Sequence, residues 1–170
     1  MLNYGLPKTA GGYFMSKHKS YSIIRSIFFL YCAIVFILLF CRPQFDMGLT
    51  YWEQIRMNLN LMPFHSITIY LYLLIHRPNK ALVFYSLTNF IGNIVLFFPF
   101  GLLFPCLERK KRSLWRILLT ALRLITLLEI AQLLTLLGSF DVDDIILNLS
   151  GVALGYLLFR IMRRKWNITL

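Results

Sequence analysis

The chain has 170 residues, of which 58% are hydrophobic and 15% are charged, and its mean hydropathy is +0.67. Soluble domains carry about 25% charged residues, so this composition excludes an ordinary soluble enzyme, and the length predicts a single domain over residues 1–170. The net charge of +11, taken alone, suggests nucleic acid or an acidic partner, and the positions of the charges decide what it means.

Four stretches are apolar and long enough to cross a bilayer, whose hydrocarbon core requires a helix of about 20 residues. They cover residues 21–41, 81–107, 117–137 and 145–163. The first stretch has no typical cleavage site after it, so it is predicted to be a retained anchor. The sequence therefore predicts an all-α, polytopic membrane protein with four transmembrane helices. No disulfide, metal or cofactor is predicted, because metal-ligand spacing is absent among Cys32, Cys41 and Cys106.

The segment 57–76 between the first two spans also lacks charged residues, and the distribution of Lys and Arg decides how it is placed. Cytoplasmic loops of membrane proteins are enriched in these residues. With four spans and a cytoplasmic N-terminus, 13 basic residues lie inside and four outside, whereas a fifth span leaves six inside and 11 outside. The four-span topology is therefore predicted, with both termini cytoplasmic and with Phe64 to His76 as a short interfacial or re-entrant helix on the outer face.

The inner basic residues of this topology form three clusters next to the predicted spans. They are Lys8, Lys17, Lys19 and Arg25, then Arg109, Lys110, Lys111, Arg112 and Arg116, then Arg160, Arg163, Arg164 and Lys165. The outer ones are Arg42, Arg56, Arg77 and Lys80, and Arg123 falls inside the third span. Basic clusters beside spans suit anionic lipid headgroups, so membrane lipids are the predicted partners and nucleic-acid binding is rejected.

Polar residues within the spans are the main functional signal, because a charge at a helix centre costs at least about 2.5–3.5 kcal/mol and normally faces a bundle interior or water. Their spacing of three or four residues places those of each span on one helix face. At the predicted depths, three spans bring these groups to a cavity open toward the outer leaflet, which Pro63, Phe64 and His65 could cover. The six cavity residues are Asn89, Asn93, Glu129, Gln132, Asp144 and Asn148, and Asp141 lies on the same face at the start of the fourth span.

These residues also have structural interpretations. Asparagine and glutamine in spans often hydrogen-bond a neighbouring helix, which applies above all to Asn93. Asp143 and Asp144 are also compatible with solvated loop charges. Glu129 is the least compatible with a structural role, because a carboxylate in mid-span requires a partner or a function. Small residues and prolines are predicted to serve helix packing, namely Gly92, Pro99, Gly101, Gly151 and Gly155.

The same residues, taken in order, carry a resemblance to a known family. The stretch NLNLMPF at Asn58 to Phe64 is followed by N-x3-N-x5-P-x-G from Asn89, E-x2-Q from Glu129, and D-x2-D-x3-N-x2-G-x3-G from Asp141. In this order and at these spacings the chain resembles the VanZ-like family of bacterial membrane proteins over nearly its whole length beyond the first span. One departure is Ile125, where the family often has a small hydroxyl residue four positions before the glutamate.

The resemblance implies a small multi-pass protein of the bacterial cell membrane. One family member is associated with resistance to the glycopeptide antibiotic teicoplanin, without the altered peptidoglycan precursors that give vancomycin resistance. Teicoplanin carries an acyl chain and concentrates at the outer leaflet, where the predicted cavity opens. The first functional hypothesis is an envelope protein that lowers glycopeptide susceptibility, whose ligand is the antibiotic or a lipid-linked cell-wall precursor. The predicted binding residues are Asn89, Asn93, Gln132, Asp141 and Asn148.

Two other functional hypotheses remain open from the sequence. In one, the chain is a membrane-embedded enzyme acting on a lipid-linked envelope substrate, with Glu129 as general acid or base and Asp144 as a second carboxylate or metal ligand. In the other, it is a transport or partner subunit in which Arg123 and Glu129 line a path through the bilayer.

Overall fold

A computed structural model describes residues 10–41, 48–76, 79–108 and 113–166, and the side chains in these ranges from Tyr21 onward except that of Trp166. Several residues used in the topology prediction lie outside this description, namely Lys8, Arg42, Arg77 and Arg109 to Arg112, together with the side chains of Lys17 and Lys19. The predicted orientation across the membrane therefore stays a prediction.

Helices make up most of the described chain. In order, the elements are α1 (Ala10–Phe40), α2 (Tyr51–Met57), β1 (Leu59–Asn60), α3 (His65–His76), α4 (Lys80–Leu107), α5 (Leu114–Leu134), β2 (Phe140–Asp141) and α6 (Val142–Trp166). Four segments are long and apolar enough to cross a membrane: Tyr21–Phe40, Lys80–Leu107, Leu114–Leu134 and Val142–Lys165. The predicted all-α class, with four spans and a shorter apolar helix α3, is confirmed.

Glycines bring α4 and α6 into backbone contact. A Cβ at Gly151 would overlap the carbonyl oxygen of Ile94, and one at Gly155 would overlap that of Phe98. Because the residue numbers rise together on the two helices, α4 and α6 run parallel. Gly101 likewise lies against the carbonyl oxygen of Val152. This arrangement is the small-residue packing by which membrane helices approach closely.

The expectation of close helix contact at Gly92 is wrong. A Cβ at Gly92 would meet no heavy atom within 4 Å. Gly92 and Gly101 are nine residues apart on α4, which corresponds to about 900° of rotation and hence to opposite helix faces. Pro99 is half-buried within α4.

The hydrophobic core lies between α4, α5 and α6, and α1 packs along its side. The core residues are Phe97, Phe100, Ile117, Ala121, Ile125, Val152, Tyr156 and Phe159. On α1, the Phe28 ring lies 6.0 Å from that of Phe100, and the Tyr31 hydroxyl donates to the Leu96 carbonyl at 2.9 Å. Most other large side chains of α1 are exposed and apolar, as expected of a helix that faces lipid.

The third and fourth spans each begin three residues before the predicted positions, and the third also ends three residues early. After Leu134 the chain closes a Schellman turn, in which Leu136 has a positive φ of 57° and the Leu137 amide donates to the Gln132 carbonyl at 3.0 Å. Helix α6 begins early because the Asp141 carboxylate accepts from the Asp143 amide at 2.8 Å, in the manner of an N-cap.

The segment 48–76 between α1 and α4 folds over one end of the bundle, where α1 and α5 finish and α4 and α6 begin. We call this the covered end. Helix α2 is joined to α5 by the Tyr51 hydroxyl, which donates to the Leu134 carbonyl at 3.0 Å. Strands β1 and β2 pair in parallel, with Leu59 opposite Phe140 and Asn60 opposite Asp141. This strand pair was not predicted, because two-residue strands carry no detectable periodicity.

Candidate functional site

A polar cavity of about 200 Å³ lies at the covered end, between α3, α4, α5 and α6. The three helices α4, α5 and α6 contribute all six polar residues that the sequence placed at one depth: Asn89, Asn93, Glu129, Gln132, Asp144 and Asn148. The remaining lining residues are Leu39, Tyr70, Tyr85, Phe97, Ile125, Leu128, Gly138 and Ser139. The six side chains therefore line one cavity, as their spacing predicted, and their functional role stays a prediction.

Two asparagines line the α4 wall of the cavity in different ways. The Asn93 side-chain amide donates to the Asp144 carboxylate at 2.5 Å and so joins α4 to α6. The Asn89 side-chain amide donates within its own helix, to the Tyr85 carbonyl at 2.8 Å. Asn93 therefore does have the helix-joining role of the structural interpretation, while it also lines the cavity.

The α5 wall carries the two most deeply placed polar groups of that helix. Glu129 and Gln132 are only 6% and 5% exposed. The Gln132 amide donates to the Leu39 carbonyl at 3.2 Å and so reaches the end of α1. One turn before Glu129, the buried Ile125 makes the wall apolar at the position where the resembled family often has a hydroxyl group.

Asn148 supplies the α6 wall with an acceptor that the protein does not use. The residue is 3% exposed, and in the described part of the chain its buried Oδ1 accepts no hydrogen bond. Buried polar atoms in native proteins nearly always have a partner. This atom is therefore the clearest indication that the cavity accommodates a ligand.

Asp141 is not among the residues that line the cavity, so its predicted role in binding has no support from this geometry. Besides capping α6, its carboxylate accepts from the Ser66 hydroxyl at 2.5 Å and from the Asn60 side-chain amide at 3.1 Å. The residue precedes the first turn of α6, which directs it toward α3 and β1 instead of along the stripe formed by Asp144 and Asn148. Asp141 thus holds the covering segment in place.

Asp143 is fully buried, which contradicts its interpretation as a solvated loop charge. Its carboxylate accepts from the Phe64 amide at 2.5 Å and from the Ile67 amide at 3.0 Å. The Phe64 amide lies just before α3 and the Ile67 amide in its first turn, where backbone donors without helical partners favour a negative charge. Asp143 of α6 therefore caps α3 from a distant part of the chain, a role that no local sequence pattern marks.

The cover of the cavity comes from Tyr70 of α3 and not from the expected Pro63, Phe64 and His65, which are exposed and outside the lining. Tyr70 is 7% exposed, and its ring lies edge-on to that of Tyr85 at 6.2 Å. Burial, and next the Asp144 carboxylate, raise the pKa of Tyr70 above its ordinary value, so its phenol stays protonated. Sequence reasoning missed both tyrosines because no local pattern shows that α3 packs over this end of α4.

Arg123 is exposed on α5 and is not among the lining residues of the cavity. Six residues separate it from Glu129, which is about 600° of helix and places the two on different faces. Within one chain, Arg123 and Glu129 therefore do not line a common path.

At the opposite end of the bundle, a wider cleft of about 740 Å³ lies between the start of α5 and the end of α6. Its polar wall consists of Ser113 and the exposed Arg160, Arg163 and Arg164, and its floor of the buried Tyr156 and Phe159. Guanidinium groups above aromatic side chains suit the phosphate and the adjoining chains of an anionic lipid.

The fold and the cavity define a class, namely four-span membrane proteins with a polar chamber under a short apolar helix. A family model described as VanZ/LLP1 matches residues 27–163, which is most of the chain, and the chain belongs to this family. The resemblance drawn from the sequence motifs is thereby confirmed. Searches of the curated proteins and of the solved structures gave no match.

Proposed function

We propose that this protein lowers the susceptibility of a bacterial cell to glycopeptide antibiotics such as teicoplanin, and that the polar cavity is its working site. The observation that carries the proposal is the convergence of Glu129, Asp144 and Asn148 from two spans onto one chamber. Charged and amide side chains inside a membrane bundle mark functional sites by default, because lipid penalises them. In the proposed topology both termini are cytoplasmic and the covered end faces outward, toward the leaflet in which an acylated glycopeptide accumulates.

The size of the cavity limits what it can hold. A volume of about 200 Å³ corresponds to roughly seven water molecules at about 30 Å³ each, and it lies below the range of about 300–1,000 Å³ typical of drug-sized ligands. A whole glycopeptide does not fit. The ligand in the cavity is therefore one polar group of a larger envelope amphiphile, either the antibiotic itself or the membrane component that the antibiotic meets.

Expression in a teicoplanin-susceptible host tests the proposal. We expect the wild-type chain to raise the minimal inhibitory concentration of teicoplanin at least fourfold, and Glu129→Gln, which keeps the shape but removes the carboxylate, to return it to the vector level. Glu53→Gln is the matched control, because Glu53 is exposed on α2, away from the cavity. Immunoblots of the membrane fraction verify equal amounts. Equal sensitivity of cells with vector, wild type and Glu129→Gln would refute the proposed function.

A second candidate function is a membrane-embedded enzyme acting on a lipid-linked envelope substrate. What favours it is the presence of two carboxylates, Glu129 and Asp144, in one small chamber, an arrangement that suits general acid and base roles. We expect overexpression of such an enzyme to change the extracted envelope lipids in mass spectrometry. The change must vanish in both Glu129→Gln and Asp144→Asn, and unchanged lipids with the wild type would reject catalysis.

A further inference from the structure

We infer that the cavity binds a small primary ammonium group, supplied either by a lipid headgroup or by a free amine. This inference rests on the proposed function in taking the cavity as the working site, and it adds the chemical class of the ligand. Three observations support it: the charge of the lining, the orientation of its amides, and the unused acceptor of Asn148.

The charged residues that line the cavity are all acidic. Among the described residues around the cavity are Glu129 and Asp144, and there is no Lys, Arg or His. The local field therefore attracts cations and repels phosphate or carboxylate groups. Tyr70, Tyr85 and Phe97 complete the walls, and aromatic rings favour a cation at their faces.

The amides of the lining direct their donors into the protein. The side-chain NH2 groups of Asn89, Asn93 and Gln132 donate to the Tyr85 carbonyl, the Asp144 carboxylate and the Leu39 carbonyl, respectively. Each amide thereby has one of its two N–H donors engaged by the protein. Fewer amide donors are thereby left for a ligand in the chamber.

Asn148 points to the same ligand independently of charge. Its side chain is 97% buried, since its exposed fraction is 3%. Within the described chain Oδ1 receives no donor, although Asn148 lines the cavity. Leaving a buried acceptor unsatisfied is costly, so the occupant of the chamber is expected to donate a hydrogen bond there.

A primary ammonium group satisfies these requirements together. It carries three N–H donors and one positive charge, and a two-carbon ethanolammonium occupies well under the available volume of about 200 Å³. A trimethylammonium group has the same charge and no N–H donor. The comparison of ethanolamine with choline therefore isolates the hydrogen bonds from the charge.

The experiment uses the purified full-length protein in phosphatidylcholine nanodiscs, with thermal unfolding followed at constant ionic strength. In the first arm, ethanolamine hydrochloride is compared with choline chloride. In the second arm, no free amine is added and phosphatidylethanolamine replaces part of the phosphatidylcholine. A ligand that binds only the folded state raises the unfolding midpoint, so a rise with free ethanolamine identifies a soluble amine, and a rise with phosphatidylethanolamine identifies a lipid headgroup.

We expect stabilisation by the primary amine in at least one arm and none by choline. The affinity derived from the titration should fall at least about tenfold in Asn148→Leu, which removes the acceptor at similar volume, and in Glu129→Gln, whereas Glu53→Gln should bind as the wild type does. Equal midpoints with ethanolamine and choline in the wild type, together with no effect of phosphatidylethanolamine, would overturn the inference without any variant being needed.

The outcomes for the two proposals are separable. If the wild-type protein binds the amine but does not change teicoplanin sensitivity, the proposed function alone is refuted. The ammonium ligand alone is refuted if teicoplanin resistance depends on Glu129 but neither ethanolamine nor phosphatidylethanolamine raises the unfolding midpoint.

Discussion

Replacing Gly155 with alanine is expected to destabilise the bundle by about 3 kcal/mol, toward the upper end of overpacking costs, and replacement with leucine is expected to prevent folding. The added Cβ would overlap the Phe98 carbonyl oxygen and lie 3.0 Å from the Leu102 amide nitrogen. Both atoms belong to the α4 backbone, so no rotamer change relieves the contact and the two helices must separate.

The matched control is Gly92→Ala, on the same helix pair. A Cβ at Gly92 meets nothing within 4 Å, and alanine is the better helix former by about 1 kcal/mol. Thermal unfolding of the detergent-solubilised protein should therefore show a strongly lowered midpoint for Gly155→Ala and an unchanged or raised one for Gly92→Ala. Similar midpoints for both variants would mean that α4 and α6 do not touch through Gly155.

Replacing Asp143 with alanine is expected to release the first turn of α3. The variant loses two charge-assisted hydrogen bonds to the amides of Phe64 and Ile67, each worth about 1.5–3 kcal/mol. Even the loss of about 3 kcal/mol in total corresponds to roughly a hundredfold faster hydrogen exchange at these two amides. Because Tyr70 of α3 covers the cavity, the same variant should also bind the ligand of the cavity with lower affinity.

Hydrogen exchange with mass spectrometry resolves this effect by segment. Peptides covering α3 should exchange faster in Asp143→Ala, whereas peptides from the middle of α5 should not change. Glu53→Gln is the control, since it alters a carboxylate at the first turn of α2 and leaves α3 capped. Unaltered exchange across α3 in Asp143→Ala would show that the covering helix is held by other contacts.

The sequence predicted correctly those features that follow from the cost of placing polar groups in lipid. The span over α4 was predicted to within one residue because no charge interrupts it, and the six cavity residues were found because a polar group in a span must face the protein. Hydropathy failed at the end of α5, where Leu136 and Leu137 are apolar yet belong to a turn set by backbone hydrogen bonds.

The errors at the site have a common physical origin in long-range contacts. Asp141 and Asp143 lie beside Asp144 in the sequence, but their partners Ser66, Phe64 and Ile67 are more than 70 residues away. Spacing along one helix cannot reveal such partners. Tyr70 was missed for the same reason, because only the placement of α3 by Asp143 turns it toward the chamber.

The parallel contact between α4 and α6 also has a consequence for biogenesis. During synthesis α4 enters the bilayer while α6 is still unmade, so Asn93 spends that interval without Asp144, its partner in the finished protein. The chamber forms only when α6 has inserted and packed against Gly101 of α4. Chains that stop short of α6 therefore leave the Asn93 amide without this partner in the bilayer, which costs free energy because a buried polar group lacks its hydrogen bond.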